Sequence, residues 1–303
     1  MNASAVSKRT QAQVEERIGR LLPACRVLRS QAPGDIERLA ALARDSGAGR
    51  VIVVGGDGTI HEAANALAGS ATALAVVPAG SGNDFVRSLG IPRAIDAALA
   101  CAVSGMVSAL DAIRVTCLDG AGSPVSRICV NIAEAGMGAE VVALSERTRR
   151  FAGRTLGYHA ALAIRLFTAR PKPVRLWVDG IEVPERPLNN LIVANGRYFG
   201  GGMHPMPHAA LDDGRLDAAR IRDLGPLGLL WHSPLIQIGL PAEHPFIDQW
   251  TLQELRAEAE GVVPVEADGE MLGQLPATFA VMPGALRVVC PGTHRRPERT
   301  HRS

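Results

Sequence analysis

The run Gly55-Gly56-Asp57-Gly58-Thr59 is where this chain is best equipped to do chemistry. Three glycines let backbone N–H groups come close to a phosphate, and a helix starting there adds the positive end of its dipole. Asp57 sits among those amides, where a Mg²⁺ ion with its waters could join it to a nucleotide. The run has no lysine, so it is not the G-x-x-x-x-G-K-[ST] loop. The plain alternative is an ordinary glycine turn in an α/β protein. A second glycine turn, Pro78-Ala79-Gly80-Ser81-Gly82-Asn83-Asp84-Phe85, follows. Two acidic turns come later, Asp212-Asp213-Gly214 and Asp268-Gly269-Glu270. Asp-Gly turns are common without any metal. His204 and His208 stand four apart, but Pro205 and Pro207 break the helix that would align them, which argues against zinc. Gly136-x-Gly138 lacks the third glycine of a dinucleotide fingerprint and reads as a tight turn.

The elements around these residues alternate. Val51–Val54 is an apolar strand before the first turn, and Ile60–Leu67 has helical composition after it. Ala73–Pro78 is a second strand, again ending in a glycine turn before a helix. Residues 9–22 and 94–103 read as helices, and Cys25–Leu28 as a short strand. Gly34-Asp35 opens a helix running to about Asp45, with Asp35 as its N-cap. This order implies a parallel sheet with helices on both faces and ligands at the carboxyl ends of its strands. The character changes near residue 110. Short alternating runs follow at 112–116, 127–132, 174–178, 188–194, 216–221, 254–259, 262–266 and 286–289. They predict a mostly antiparallel β domain, interrupted by a helical insert over roughly 139–168. The expected division is 1–116, 117–290 and a basic, disordered tail at 291–303. The opening Met1-Asn2-Ala3-Ser4-Ala5-Val6 resembles the turn after a first strand rather than the strand itself.

Composition narrows the function. The 303 residues are 47% hydrophobic but only 4% aromatic, so the cores are built from Ala, Val, Leu and Ile. Net charge is +2, which argues against a dedicated nucleic-acid binder. Only Lys8 and Lys172 are lysines. Five cysteines are scattered and never spaced C-x-x-C, as in reduced cytosolic proteins. The most apolar stretch, 224–240, is interrupted by Pro226, His232, Ser233, Pro234 and Gln237 and is not a transmembrane helix. From Arg147 to Arg175 the chain carries Arg147, Arg149, Arg150, Arg154, Arg165, Arg170 and Lys172 with no acid between, interleaved with apolar residues. Such a segment suits anionic lipid headgroups, and equally a solvated surface around a core helix.

Taken in order, the two glycine turns, the stretch Pro207–Asp217 and Glu266–Glu270 resemble the diacylglycerol kinase catalytic family, closest to its soluble bacterial lipid kinases. The resemblance covers about residues 30–290. It implies an ATP-binding α/β domain, a β-sandwich-like second domain and an active site in the cleft between them. Gly55, Gly56, Asp57, Gly58 and Thr59 then bind nucleotide phosphates, Ser30 contacts nucleotide, and Ser81, Asn83 and Asp84 form a second nucleotide and Mg²⁺ motif. Asp213, with the carbonyls of Ala210 and Arg215, maps to a structural Mg²⁺ site. Glu270 maps to the general base. Asp57 and Asp84 are the carboxylates expected near the catalytic ion. The family's usual Asn after the first turn is His61 here, its opening strand is absent or cut short, and Ser30 replaces a commoner Thr. The function implied is an ATP- and Mg²⁺-dependent lipid kinase, with diacylglycerol as acceptor, in the cytoplasm at the inner face of the membrane. The alternatives are a kinase of NAD⁺ or another soluble substrate, and a catalytically silent nucleotide- or lipid-binding regulator. A homodimer is left open.

Overall fold

The computed structural model describes residues 1–2, 6–152, 154–168, 170–241 and 243–292. Its N-terminal part runs α1 (Lys8–Leu21), α2 (Asp35–Asp45), β1 (Arg50–Gly55), α3 (Asp57–Leu67), β2 (Ala73–Pro78), α4 (Asp84–Leu89) and α5 (Ile95–Ser104). β1 and β2 pair in parallel from Arg50↔Ala73 to Gly55↔Pro78. Every residue of β2 is buried, as a middle strand covered on both faces must be. On one face lie Ile36 and Ala40 of α2, Ile60, Ala63 and Leu67 of α3, and Phe85 and Leu89 of α4. On the other lie Val14 and Ile18 of α1 with Ala98, Leu99 and Ala102 of α5. The alanines let these helices approach the sheet closely, which is how so few aromatic residues suffice.

The C-terminal part runs β3 (Met106–Leu118), β4 (Pro124–Cys129), β5 (Ile132–Gly136), α6 (Met137–Ala152), α7 (Arg154–Thr168), β6 (Lys172–Val178), β7 (Ile181–Ala194), β8 (Leu216–Arg222), α8 (Gly225–Ile238), β9 (Ile247–Leu252), β10 (Glu254–Ala259), β11 (Pro264–Ala267) and β12 (Glu270–Cys290). Its strand pairs are antiparallel and close over a core that includes Ile113, Val115, Leu176, Leu191, Val265 and Phe279. β12 begins beside β11 and pairs with β3 from Gln274↔Leu118 to Cys290↔Met106. It also meets β2 in parallel at Val288↔Leu74. Through β12 the parallel pair and the antiparallel strands form one continuous twelve-stranded sheet.

The structure corrects several sequence expectations. Residues 25–29 form no strand: they are mostly exposed, and only Ser30 makes a bridge, to Asn2. The N-cap of α2 is Gly34, at φ 82°, and Asp35 is the first helical residue. The Asp35 carboxylate instead closes the preceding turn, accepting from the Gln31 and Ala32 amides at 2.7 and 3.1 Å. The run 127–132 is two strands, because the amides of Val130 and Asn131 turn away to the carboxylate of Asp268. The helical insert is two helices, α6 and α7. At the start of the chain Asn2 N donates to Val54 O at 3.0 Å and Ser30 N to Met1 O at 3.1 Å, which extends the edge of β1. Residues 3–5 and the basic tail from 293 onward lie outside the described residues.

Candidate active site

The two glycine turns sit side by side at the carboxyl ends of β1 and β2. A Cβ on Gly80 would lie 2.5 Å from Gly56 Cα, so the turns touch backbone to backbone. A Cβ on Gly55 would run into the Thr59 side chain. The N-cap of α3 is Gly56, which supplies no side-chain cap. The first amides of a helix have no partner within it, and an uncapped helix end of this kind can accept an anion.

The neighbouring helix is different. Asp57 reaches across to cap α4: its carboxylate accepts from the amides of Asn83 (2.8 Å), Asp84 (2.8 Å) and Phe85 (3.4 Å). A side chain on Gly82 would meet Asp57 Oδ2 at 2.7 Å, so that glycine is needed as well. Asn83 stands at φ 55° and ties its own turn, donating to Gly80 O (2.7 Å) and accepting from Gly80 N (3.2 Å). Thr59 is buried, and its hydroxyl accepts from Asn2 Nδ2 at 3.0 Å. The side chains of Asp57, Thr59 and Asn83, expected from the sequence to contact nucleotide or ion directly, are thus engaged in building the two turns. Ser81 is exposed at the mouth, and Ser30 is buried beside Asn2.

Asp84 is buried and held by Arg87 (2.9 Å) and by the amide of Gly201 (2.7 Å). Burial pushes its carboxyl up, the Gly201 amide opposes this, and the Asp57 charge adds to the rise. Arg87 also lies over Tyr198, 5.3 Å from the ring centroid, and a side chain on Gly202 would collide with it. The loop Gly200-Gly201-Gly202 is a third glycine-rich wall of the site that the sequence reading did not single out. Three consecutive glycines were its signal.

Glu270 starts β12 and is half-exposed, and a Cβ on Gly58 would lie 3.6 Å from its Oε1. The carboxylate therefore stands over the first turn of α3. Burial pushes it up, His61 pulls it down, and Glu62 and Asp268 push it up again, for a net rise. His61 is buried on α3, with Nδ1 2.9 Å from Asp268 Oδ2 and Nε2 3.9 Å from Glu270 Oε2. Asp268 also accepts from the amides of Val130 (2.8 Å) and Asn131 (2.9 Å) and from the Cys129 thiol (3.2 Å). Burial alone would raise its pKa, but the His61 bond and the two amides hold it below the usual range. Burial lowers His61, and the Asp268 bond and charge lift it above its ordinary value. His61 thus links α3 to the strand end that carries Glu270 through the Asp268 carboxylate.

A second buried carboxyl pair lies just beneath. Glu134 and Glu266 face each other across the β5–β11 register. Glu134 accepts from Asn190 at 2.6 Å and Glu266 from Gly269 N at 2.6 Å. Burial lifts Glu134 to about 7 and Glu266 well above the usual carboxylate range, so the pair retains a proton near neutrality.

The acidic loop sits elsewhere. Asp111 accepts from Gly214 N (2.7 Å) and Gly284 N (2.8 Å), and its own amide donates to Leu211 O (2.6 Å). Asp213 is exposed and accepts from Arg215 N at 3.1 Å, while Ala210 is buried. This places the loop against the far half of β12, away from Glu270. Among the described residues no group of three or more His, Cys, Asp or Glu side chains is arranged to hold a metal. A carboxylate with two backbone carbonyls is a different, all-oxygen set of the kind hard cations accept.

Residues 1–115 match the profile of the diacylglycerol kinase catalytic domain. Residues 131–290 match the YegS C-terminal NAD kinase beta sandwich-like domain. A diacylglycerol kinase of Mycobacterium tuberculosis is 32% identical over 258 residues, spanning 85% of this chain and 82% of that protein. This chain belongs to the diacylglycerol kinase catalytic family. A Citrobacter koseri protein named "Probable lipid kinase YegS-like" is 30% identical over 85% of this chain and 83% of its own. The crystal structure of a diacylglycerol kinase from Bacillus anthracis superposes with a TM-score of 0.74 over 97% of this chain and 96% of that one, at 21% identity, which shows the fold. The α/β part with its antiparallel β-sandwich-like partner is thus the family's architecture, and the chain is a lipid kinase by descent.

Two outcomes test the site. Gly80→Ala should push the glycine turns apart, lowering both nucleotide affinity and stability, measured by nucleotide titration and denaturant unfolding. For the ion pair, the His61 contribution is complete below about pH 6.5 and is lost as pH rises through its raised pKa. The Asp268 contribution is complete above about pH 3.9 and is lost as pH falls through its lowered pKa. Asp268→Asn should destabilise the protein by about 3–5 kcal/mol at neutral pH and flatten the alkaline limb of the stability profile.

Proposed function

We propose that this chain transfers the γ-phosphoryl group of ATP, bound with Mg²⁺, to the free hydroxyl of diacylglycerol, giving phosphatidate and ADP. Residues 1–116 hold the nucleotide in this reading and 117–290 the lipid, met at the cytoplasmic face of the membrane. The observation that carries it is the position of Glu270 over Gly58, beside the glycine-capped end of α3.

The geometry supports these roles. The amides of Gly56, Gly58 and Thr59 would hold phosphate oxygens, with Gly55 allowing the turn and Ser30 and Ser81 at the nucleotide's flank. Asp57 and Asn83 keep the second turn in register. Asp84, braced by Arg87 and Gly201, would hold the ion. Bound Mg²⁺ supplies charge neutralisation on the triphosphate. As the acceptor oxygen bonds to the γ-phosphorus and the bond to the ADP oxygen breaks, Glu270 takes the hydroxyl proton. Its upward-shifted pKa makes it a better proton acceptor than an ordinary Glu at about 4.3. Asp213, with the carbonyls of Ala210 and Arg215, would hold a separate structural Mg²⁺ against the Asp111 joint.

The test is phosphate transfer from γ-labelled ATP to a panel of diacylglycerol, monoacylglycerol, sphingosine, ceramide, phosphatidylglycerol and NAD⁺. Diacylglycerol should be labelled, and Glu270→Gln should lose about 10²–10⁴-fold in rate while still binding nucleotide. Label on NAD⁺ instead, or an undiminished Glu270→Gln, would overturn the reading. His61→Asn removes the positive charge beside Glu270, so the acidic limb of the pH–rate profile should move to higher pH.

A further inference from the structure

Helix α8 is turned the wrong way for a surface helix. It contains no Asp, Glu, Lys or Arg. Leu229, Leu235 and Ile236 pack inward against Met206 and Ile221. A surface helix normally turns polar residues to water. Here Leu227, Leu230, Trp231 and Ile238 are 77, 49, 82 and 72% exposed. Their spacing places them along one side of the helix. α7 packs beside α8 and exposes Ile164 and Phe167. On α8 the His232 ring meets His244, which meets Phe246, also exposed. Scattered apolar residues on a surface need no account, but a contiguous set on a charge-free helix does.

Arginine is in excess beside this face. An open groove of about 750 Å³ near Phe246 is lined by Arg186, Arg220, Arg222, Glu243, Asp248 and Trp250. Arg220 is neutralised by Asp248 at 2.7 Å. Arg222 is 3.6 Å from the same carboxylate and donates to Pro245 O. Arg186 is exposed. Arg170 is exposed at the end of the acid-free run 147–175. No described helix is long and apolar enough to cross a membrane. At 14 residues with Pro234 inside, α8 is suited to lying in the plane of an interface. An exposed tryptophan beside aliphatic residues is the composition of such a boundary.

We propose that the outer face of α8, with Ile164, Phe167 and Phe246, inserts among the acyl chains of an anionic bilayer while the exposed Arg186 and Arg170 meet headgroup phosphates. An anionic surface offers those two arginines the complementary charge that an uncharged helix face on a second copy would not. The face is continuous with the active site. The loop whose Gly201 amide holds Asp84 continues to His204, which donates to Ile236 O at 2.8 Å, and to Pro205, which accepts from Leu240 N at 2.9 Å. The inference rests on the lipid-kinase reading, and its test separates the two.

The full chain and its Leu227→Gln/Trp231→Gln variant are compared for binding to phosphatidylcholine vesicles with and without phosphatidylglycerol. Both positions are exposed, so the fold should survive, as circular dichroism would verify. Wild type should bind the anionic vesicles with a blue shift of tryptophan emission. The variant should bind about tenfold or more weakly, lose the shift, and keep its turnover on a short-chain diacylglycerol dispersed as monomers. Undiminished vesicle binding by the variant, or none by wild type, overturns the proposal. So does a wild-type dimer that the variant turns to monomer with vesicle binding intact. Vesicle binding through α8 without phosphorylation of any lipid supports the docking face and overturns only the kinase reading.

Discussion

A single buried carboxylate, that of Asp268, gathers the active site. Its partners come from α3, through His61, and from the junction of β4 and β5, through Cys129, Val130 and Asn131. Its own backbone takes φ 52° and donates to Ile132 O, fixing the turn from β11 into β12. An isolated carboxylate at this depth would be strongly disfavoured. Surrounded by two amides, a thiol and an imidazole it is held ionised. Glu270 follows two residues later, so its place over the nucleotide turn depends on this arrangement. Glu270 belongs to one half of the molecule and the glycine turns to the other, and the His61–Asp268 contact ties the two together.

The two glycine turns divide their labour along similar lines. Both precede helices, yet only one helix end is left to a ligand. Asp57 leaves its own helix α3 glycine-capped and supplies a cap to α4 instead. Negative charge and phosphate compete for helix N-termini. By satisfying one end with protein, the fold leaves only the glycine-capped end without a side-chain cap. The arrangement also holds Asp84, buried, where Arg87 and the Gly200–Gly202 loop meet it.

Much of this was legible in the sequence because it is local. A strand, a glycine turn and a helix within twenty residues announce themselves by composition, and β1, α3, β2 and α4 fall where expected. The antiparallel runs and their Asp-Gly turns were equally readable. What escaped was pairing at long range. Nothing near Asp57 says that its partners lie 26 to 28 residues away, and His61 and Asp268 are 207 apart. Val130 and Asn131 look like strand residues until a distant carboxylate takes their amides. Asp35 resembles an N-cap because Asp is favoured there, but Gly34 could adopt the positive φ and took the place. α8 was legible as apolar but not as exposed, since a helix apolar on most sides reads the same whether its outer face meets protein, lipid or water.

β12 carries a mechanical consequence. It begins at Glu270, ends in the core beneath β2, and is paired along its length with β3, so the two halves of the molecule are joined by a hydrogen-bonded ribbon rather than by loose tethers. A ribbon resists stretching and sliding but can flex. Its pairing with β3 is interrupted twice, between Gln274 and Thr278 and between Met282 and Leu286. Those interruptions are the natural creases. Any widening of the space between Glu270 and the glycine turns would be an angular motion about them.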